Sequence, residues 1–197
     1  MTLKEKKKIV ENTILLLRKK GLLKEENILI HRRTPEEREK NYKIAIQKQI
    51  QQYIKNGCEG DLNLNNTPIT SLPNNLKVGW NLDLSNTQIT SLPNNLVVGG
   101  NLDLKNTPIT SLPKNLIVEG DLILTNTKIT SLPNNLKVGG YLYLKNSKIV
   151  SLPENLTVVG CLDLSNTKIT SLPNNLTVGW NLYLVNTPLS KNILRKK

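Results

Sequence analysis

Residues 81–100 read NLDLSNTQITSLPNNLVVGG, and residues 101–120 read NLDLKNTPITSLPKNLIVEG. The same 20-residue unit recurs from Asp61, giving six full copies through residue 180 and a half copy, NLYLVNTPLS, over residues 181–190. When Asp61 is taken as position 1, Leu stands at positions 2 and 4 and Asn at position 6 in all seven copies. A short, fixed period indicates a stack of similar supersecondary units, so we predict a repeat solenoid.

Within the unit, positions 1 to 5 mostly alternate a polar residue with Leu, which is typical of a short strand with one buried face. Pro at position 13 and Asn at positions 6 and 15 supply turns, because Pro fixes its own φ angle and Asn tolerates unusual backbone angles. Glycine at position 19 or 20 is expected to let the chain bend tightly. We expect one coil per copy, with aliphatic residues of positions 2, 4, 9, 12, 16 and 18 inside, and polar ladders from position 6 Asn and position 7 Thr.

The pattern L-x-L-x-x-T-x-I-x-x-L-P, carried by residues 82–93, resembles a leucine-rich repeat. Its 20-residue length and Leu-Pro step are similar to the short repeats of secreted effectors from bacterial pathogens, which also begin with helices. After the Pro, the unit reads Asn-Asn-Leu-x-Val-Gly-Gly, a form that resembles repeats of uncharacterised bacterial and phage proteins. The resemblance implies a leucine-rich-repeat parallel β-solenoid, mostly strand and coil. Enzymatic effectors carry a catalytic domain after the repeats, and here the repeats run to residue 190 of 197, so ligase activity is not expected.

The N-terminal region is predicted to cap the solenoid with helices. Thr34-Pro35-Glu36-Glu37 has the composition of a helix start, and Gly57 fits the stop. Residues 3–20 predict a second, earlier helix. We therefore expect a helical capping region over residues 1–57, a solenoid over residues 58–190 and a basic tail over residues 191–197. The apolar face that packs on the first coil is expected to comprise Tyr42, Ile46, Ile50, Tyr53 and Ile54.

The C-terminal end of the solenoid has less chain available to cover it. After Ser190 only KNILRKK remains, in which Ile193 and Leu194 are the apolar residues. Either this tail folds over the last coil, or a partner or a second copy covers it. Self-association through this end is therefore an alternative. The aliphatic residues that need cover are Leu182, Leu184 and Leu189.

The net charge of +12 is concentrated at the two ends of the chain. Residues 1–59 carry 15 Lys and Arg against 8 Glu, residues 60–190 carry 8 Lys against 7 Asp and Glu, and residues 191–197 carry four basic residues. A protein that binds nucleic acid along its length spreads cationic side chains over its main surface. The sequence therefore disfavours nucleic-acid binding along the solenoid, and binding through the basic termini is the alternative.

Residues that support catalysis are scarce. The chain has one histidine, His31, which is expected in a solvated loop. Cys58 stands where the unit has an inward Val and is expected to be a small core residue, whereas Cys161 at position 1 is expected to face outward. Five coils separate their levels, which is too far for a disulfide. We therefore expect no enzymatic activity, no cofactor and no metal site.

The sequence shows neither a bilayer-spanning segment nor a secretion signal. Its longest uninterrupted apolar runs, such as residues 14–17, are four residues, too short to cross a membrane. No signal-peptide hydrophobic region follows Met1. We therefore expect a cytoplasmic protein without a membrane partner.

Outward-facing strand positions carry the variation that can specify a partner. Both Trp and three of the five Tyr fall at positions 20, 1 or 3, where the unit otherwise prefers Gly, Asn or Asp. Exposed aromatic residues on a rigid sheet are typical of binding hot spots, and neutral variation at solvent-facing positions is the alternative interpretation. The predicted protein-binding residues are Trp80, Asp83, Asp103, Ile123, Tyr141, Tyr143, Asp163, Trp180 and Tyr183.

A second column, at positions 5 and 8, places lysines along one edge of the coils. A solvated rim that prevents sheet-to-sheet aggregation is one interpretation, and phosphate contact is the other. We predict a non-enzymatic protein-protein interaction scaffold that presents its outward strand face. A nucleic-acid-associated protein and a structural or assembly subunit are the alternatives. The rim lysines are Lys105, Lys128, Lys145, Lys148 and Lys168.

Overall fold

A computed structural model of the chain describes residues 12–13, 16, 34–134 and 136–195. The chain divides into two compact units, Met1–Ala45 and Ile46–Lys197. In the first unit, residues 12, 13 and 16 are helical, and the remainder of the helix predicted over residues 3–20 lies outside the described residues, as does His31. The side chains of Ile193 and Leu194, which we expected to cover the last coil, also lie outside them.

Helix α1 spans Pro35–Lys55 and begins as the sequence predicts. The Thr34 amide donates to Glu37 Oε2 over 3.0 Å, and the Glu37 amide donates to Thr34 Oγ1 over 3.2 Å. This reciprocal pair satisfies two amides that the first helical turn leaves without intrahelical acceptors. Gly57 follows the helix with a φ of 85°, a left-handed conformation that glycine adopts without a steric penalty.

The C-terminal half of α1 covers the first coil of the solenoid. Ile46 and Ile50 are each 5% exposed and join the hydrophobic core. Gln49 Nε2 donates to the backbone carbonyl of Asn63 over 3.1 Å, so the helix also satisfies an acceptor at the sheet edge. The predicted apolar face was wrong for Tyr42 and Ile54, which are 49% and 38% exposed. Burial among the predicted face residues begins only at Ile46.

Tyr53 links the end of α1 to the chain that enters the first coil. Its half-buried hydroxyl lies 2.7 Å from the carbonyl oxygen of Cys58 and 3.0 Å from that of Gly60. The same hydroxyl accepts from the Gly79 amide over 3.2 Å. Burial raises the pKa of Tyr53, so the hydroxyl remains a donor at neutral pH.

Each coil contributes two-residue strands to two parallel sheets. The first sheet, here called the front sheet, uses positions 2 and 3 and has seven strands, whereas the back sheet uses positions 17 and 18 and has six. The front strands are β1 Leu62–Asn63, β3 Leu82–Asp83, β5 Leu102–Asp103, β7 Leu122–Ile123, β9 Leu142–Tyr143, β11 Leu162–Asp163 and β13 Leu182–Tyr183. The back strands are β2 Lys77–Val78, β4 Val97–Val98, β6 Ile117–Val118, β8 Lys137–Val138, β10 Thr157–Val158 and β12 Thr177–Val178.

Neighbouring strands pair equivalent residues of successive copies. Leu82 pairs with Leu102 in the front sheet, and Val98 pairs with Val118 in the back sheet. The 20-residue period is therefore one complete coil of a parallel β-solenoid, as predicted. The front sheet was expected from the alternating pattern of positions 1 to 5, but the back sheet was not, because the alternation at positions 16 to 18 spans only three residues.

The aliphatic residues of the six predicted positions fill the interior. In the second coil, Leu82, Leu84, Ile89 and Leu96 are 0% exposed, and Leu92 is 8% exposed. Burial of this kind supplies the main favourable term in folding, and it exists only when neighbouring coils are present on both sides. The solenoid core is therefore shared between copies.

The two ends of the solenoid are covered unequally. Helix α2 spans Pro188–Arg195, and the Leu189 amide donates to the Ile169 carbonyl over 3.2 Å. The aliphatic residues of the last coils nevertheless remain only half-buried. They are Leu172, Leu176, Val178, Leu182, Leu184 and Leu189.

The core position predicted for Cys58 was wrong. Its side chain is half-buried, and its φ of 61° is in the left-handed region. The residue precedes the first complete coil, so the chain does not yet follow the path that places the later Val residues inside.

Asn at position 6 adopts the left-handed conformation in every copy, with φ between 54° and 59°. Asn is the residue other than glycine that tolerates this conformation best. The exposed side chains also bond between coils: Asn126 Nδ2 donates to Asn106 Oδ1 over 2.8 Å, and Asn146 Nδ2 donates to Asn126 Oδ1 over 2.8 Å. The predicted asparagine ladder is therefore present on the surface.

Thr at position 7 does not form the expected ladder between coils. Its hydroxyl donates to the carbonyl of the position 4 Leu in the same coil, over 2.7 Å for Thr87 and Leu84. Thr87 is 0% exposed, so this bond satisfies a carbonyl that water cannot reach. The same bond, between 2.6 and 2.8 Å, is made by Thr67, Thr107, Thr127, Thr167 and Thr187.

Where glycine stands at positions 19 and 20, close packing rather than a bend explains it. Among the described glycines, positive φ angles occur at Gly57 and Gly60, which precede the repeats. A Cβ atom at Gly100 would lie 2.7 Å from Asn81 Oδ1 and 2.9 Å from the Trp80 backbone. The predicted reason for these glycines was therefore wrong: the preceding coil lies too close to them for a side chain, although four copies carry a larger residue at one of the two positions.

Replacing one position 6 Asn tests the left-handed requirement. Asn126→Ala is expected to lower the free energy of unfolding by about 1–2 kcal/mol, because alanine disfavours this conformation. Asn126→Gly removes the same ladder bonds without the steric penalty and is expected to retain more stability than Asn126→Ala. Urea unfolding of both variants measures the difference, and equal losses would show that backbone conformation does not select Asn here.

Candidate functional site

Three aromatic side chains meet on the outer face of the front sheet. The ring centroid of Tyr141 lies 5.9 Å from that of Tyr143, with the planes at 76°. It lies 5.6 Å from the ring centroid of Trp180, with the planes at 59°. Such edge-to-face and tilted pairs stabilise one another beyond their buried area. We call these three residues the aromatic cluster.

The repeat geometry positions all members of the aromatic cluster. Tyr143 lies in β9 and Tyr141 directly before it, at positions 3 and 1, which face the same side of a strand. Trp180 stands at position 20 and is stacked on Gly160, whose carbonyl accepts from the Trp180 amide over 3.2 Å. A Cβ atom at Gly160 would overlap ring atoms Cδ1 and Cε1 of Tyr141. The Tyr141 ring therefore lies over the Gly160 backbone and reaches Trp180.

The aromatic cluster combines exposure with partial burial. Trp180 is 67% exposed, whereas Tyr141 and Tyr143 are half-buried. Ile123 pairs in register with Tyr143 and is also half-buried, so it extends the apolar surface by one coil. The structure thus brings together four of the nine residues that the sequence predicted for protein binding.

A polar ladder at position 1, which the sequence analysis did not recognise, ends at the aromatic cluster. In four successive copies, the amide of the position 1 residue donates to the side-chain Oδ1 of the position 1 residue one coil earlier. The distances are 2.9 Å from Asn81 to Asp61, 2.8 Å from Asn101 to Asn81, 2.7 Å from Asp121 to Asn101 and 2.7 Å from Tyr141 to Asp121. Tyrosine has no Oδ1 acceptor, so Tyr141 is the last member.

The three position 3 aspartates have a structural role that the sequence analysis also missed. Each accepts, through Oδ1, the amide N–H of the residue two positions later, at 2.8 to 2.9 Å. This bond is the Asx-turn typical of aspartate at the end of a strand. The pairs are Asp83 with Ser85, Asp103 with Lys105, and Asp163 with Ser165.

Burial affects the ionisation of two residues on this face. It raises the pKa of Tyr143, and the nearby carboxylates of Asp121 and Asp163 add to this effect. The Tyr143 hydroxyl is therefore neutral at physiological pH. Burial also raises the pKa of Asp103, against the opposing effect of the hydrogen bond from the Lys105 amide.

The other two predicted aromatic residues, Tyr183 and Trp80, lie in other coils than the members of the aromatic cluster. Tyr183 is 44% exposed, and its hydroxyl accepts from Asn181 Nδ2 over 3.3 Å. Trp80 occupies the same repeat position as Trp180 and is equally exposed at 66%, but it lies in the first coil. There it lines a groove of about 920 Å³ with Ile54 and Cys58, among other residues. The repeat pattern does not predict this groove, because the groove depends on where α1 ends.

The five predicted rim lysines at positions 5 and 8 are all exposed. Within the described residues, the three-residue groupings of His, Cys, Asp or Glu needed to hold a metal ion do not occur. Both cysteines are free and half-buried. In the same part of the chain, none of the helices combines the length and apolar character required to span a bilayer.

No protein-family model matches the chain, and no curated protein matches its sequence.

Gly160→Ala is expected to displace the Tyr141 ring and separate it from Trp180. Because the chain has two Trp, a Trp80→Phe background leaves Trp180 as the single tryptophan, whose emission is excited selectively over that of Tyr. Its emission maximum is expected to shift to longer wavelength as the ring contact is lost. Gly120→Ala makes the same change at the same repeat position, where Asn101 Oδ1 is the neighbour, and serves as the control. Equal spectra for the two variants would contradict the proposed packing.

Asp103→Asn tests the effect of burial on the position 3 carboxyl group. A raised pKa in the folded state means that Asp103 contributes most below its unfolded pKa and loses that contribution as the pH rises through the folded pKa. The Asn variant keeps an Oδ1 acceptor for the Lys105 amide. Its stability relative to the parent chain is expected to increase between about pH 3 and about pH 7. Urea unfolding at both pH values measures this change, and a relative decrease would contradict it.

Proposed function

We propose that this chain is a leucine-rich-repeat scaffold without enzymatic activity, which binds a protein partner through the outer face of the front sheet. The observation that carries the proposal is the aromatic cluster. Its members Tyr141, Tyr143 and Trp180 replace the Asn, Asp or Gly that the unit prefers at positions 1, 3 and 20. Such side chains on one exposed face are typical of interface anchors.

Rigidity of the front sheet supports this function. The backbone around Tyr143 is bonded on both sides, with the Leu124 amide donating to the Tyr143 carbonyl over 2.8 Å and the Leu144 amide donating to the Asp163 carbonyl over 2.8 Å. A surface that is ordered before contact loses little conformational entropy on binding. Tyr and Trp also contribute large contact areas through few rotatable bonds.

Two other functions each have one supporting observation. The concentration of basic residues at the two ends of the chain favours contact with nucleic-acid phosphate through the termini, for which affinity falls steeply with salt and is lost when the terminal lysines are neutralised. The aliphatic residues of the last coil are only half-buried, which favours a subunit that assembles through this end. For such a subunit, light scattering is expected to detect concentration-dependent association. We also propose a bacterial or phage source, which the form of the repeat supports. We propose a cytoplasmic location, which the shortness of the apolar runs supports.

Introducing two aspartates on the proposed face by substitution tests the protein-binding function. In affinity capture from the native host, Tyr143→Asp combined with Ile123→Asp is expected to abolish retention of the specific partner, because both new charges would be desolvated at the interface. Thermal unfolding is expected to change little, since both positions face outward.

Trp80→Ala is the matched control for surface aromatic loss. It removes an equally exposed Trp from another coil and is expected to leave capture unchanged. Capture that survives the double substitution, or that Trp80→Ala removes equally, would contradict the proposed face.

A further inference from the structure

We propose that the partner presents a basic segment, and that an Arg or Lys side chain of this segment lies over the aromatic cluster beside the carboxylates of Asp121 and Asp163. This inference rests on the proposed function, because it specifies the chemistry of the partner for the same face. It follows from the distribution of charge over the repeat positions and from the placement of two carboxylates at the aromatic cluster.

Charge is segregated on the solenoid by repeat position. Positions 1 and 3, which face outward from the front sheet, carry five of the seven acidic residues found between residues 60 and 190, and none of the eight lysines. The face is therefore acidic in a chain whose net charge is +12. A basic partner is attracted to such a face, whereas the phosphates of nucleic acid are repelled by it. The five residues are Asp61, Asp83, Asp103, Asp121 and Asp163.

Two of these carboxylates flank the aromatic cluster from opposite sides. Asp121 lies one coil before Tyr141 and accepts the Tyr141 amide through Oδ1 over 2.7 Å. Asp163 lies one coil after Tyr143 and pairs with it in register. Asp121 and Asp163 lie two strands apart, at about 4.8 Å per strand, and two residues apart along the strand direction, at about 3.3 Å per residue, so their backbones are about 12 Å apart across the aromatic cluster. One side chain with a long apolar stem and a cationic end can therefore lie over the rings and reach one of the two carboxylates.

Backbone amides hold one oxygen of each carboxylate in place. Asp163 Oδ1 accepts the Ser165 amide over 2.8 Å, and Asp121 Oδ1 accepts the Tyr141 amide as described above. These bonds leave Oδ2 of each group available to a donor on an incoming side chain. The nearest lysine along the chain, Lys145, is exposed at position 5, beyond the end of β9.

An exposed indole next to carboxylates is suited to a guanidinium or ammonium group. Cations are attracted to the face of Trp more strongly than to the face of Phe or Tyr. Arginine is favoured over lysine here, because its planar group stacks on a ring and donates in a fork to a carboxylate. An acidic segment would instead meet like charges on both sides of the aromatic cluster.

The test uses the full chain with Trp80→Phe, so that Trp180 is the single tryptophan. The probes are a nonapeptide of alternating Gly and Arg and a matched peptide in which neutral citrulline replaces every Arg. The Arg peptide is expected to change Trp180 emission in a saturable way and to bind at least about tenfold more tightly than the citrulline peptide. Equal binding of the two peptides would overturn the inference.

Charge-removing variants locate the binding site. The double variant Asp121→Asn with Asp163→Asn keeps both Oδ1 acceptors. It is expected to lower the affinity for the Arg peptide by about tenfold. Asp61→Asn removes one charge from the same face, four coils from Tyr141, and is expected to change the affinity by less than about twofold. Equal effects of the near and distant substitutions would overturn the inference in favour of general attraction to the acidic face.

The same variants show whether a second copy of the chain, rather than another protein, occupies the face. They also separate a failure of this inference from a failure of the proposed function. Concentration-dependent association that disappears in Asp121→Asn with Asp163→Asn would assign the face to the basic termini of a second copy and overturn a foreign basic segment. If Tyr143→Asp with Ile123→Asp abolishes partner capture while the Arg and citrulline peptides bind equally, the proposed function stands and this inference fails. If that pair leaves capture unchanged, the proposed function itself fails.

Discussion

Hydrogen bonding between equivalent residues of successive coils is the constraint on which this structure depends. In the front sheet the Leu82 amide donates to the Asn101 carbonyl over 2.8 Å, and in the back sheet the Gly99 amide donates to the Val78 carbonyl over 2.9 Å. Two sheets of two-residue strands hold together only because this register is repeated in every copy. The register brings backbones close enough that positions 19 and 20 favour glycine, and it requires a left-handed residue at position 6.

The same constraint determines where the repeat can vary. Inward positions must keep their aliphatic residues, because each side chain packs against copies on both sides. Outward positions 1, 3 and 20 are free to change only when the neighbouring coil leaves room. Tyr141 interrupts a ladder of Asn and Asp side chains and lies over Gly160, which provides that room. The aromatic cluster is thus a local departure from the unit that the stack accommodates without loss of its backbone bonds.

Coverage of the ends follows from the same dependence on neighbours. At the N-terminal end, Ile46 and Ile50 cover the apolar side of the first coil, where a preceding coil would otherwise pack. Gln49 and Tyr53 donate hydrogen bonds to backbone carbonyls of the first coil and of the chain that enters it. At the other end, the aliphatic residues of the last coil stay half-buried beneath α2. The Thr34 cap and the Gly57 stop were readable from the sequence because helix termini use local chemistry. The exposure of Tyr42 was not, because a helical pattern does not show how much of the helix is covered.

The sequence by itself determined the coil length, the parallel stacking of copies, the inward residues and the start of α1, because a 20-residue period and local capping chemistry are properties of the chain. It also indicated Ile123, Tyr141, Tyr143 and Trp180 as departures from the unit. Only the tertiary structure decided that these aromatic rings meet, that Asp83, Asp103 and Asp163 hold turns, and that the repeat glycines serve close packing. The ring contacts and the glycine packing depend on distances between residues of different coils, which the packing of the whole stack sets. Each turn bond joins residues two apart in one coil and depends on the orientation that the folded strand gives to the aspartate side chain.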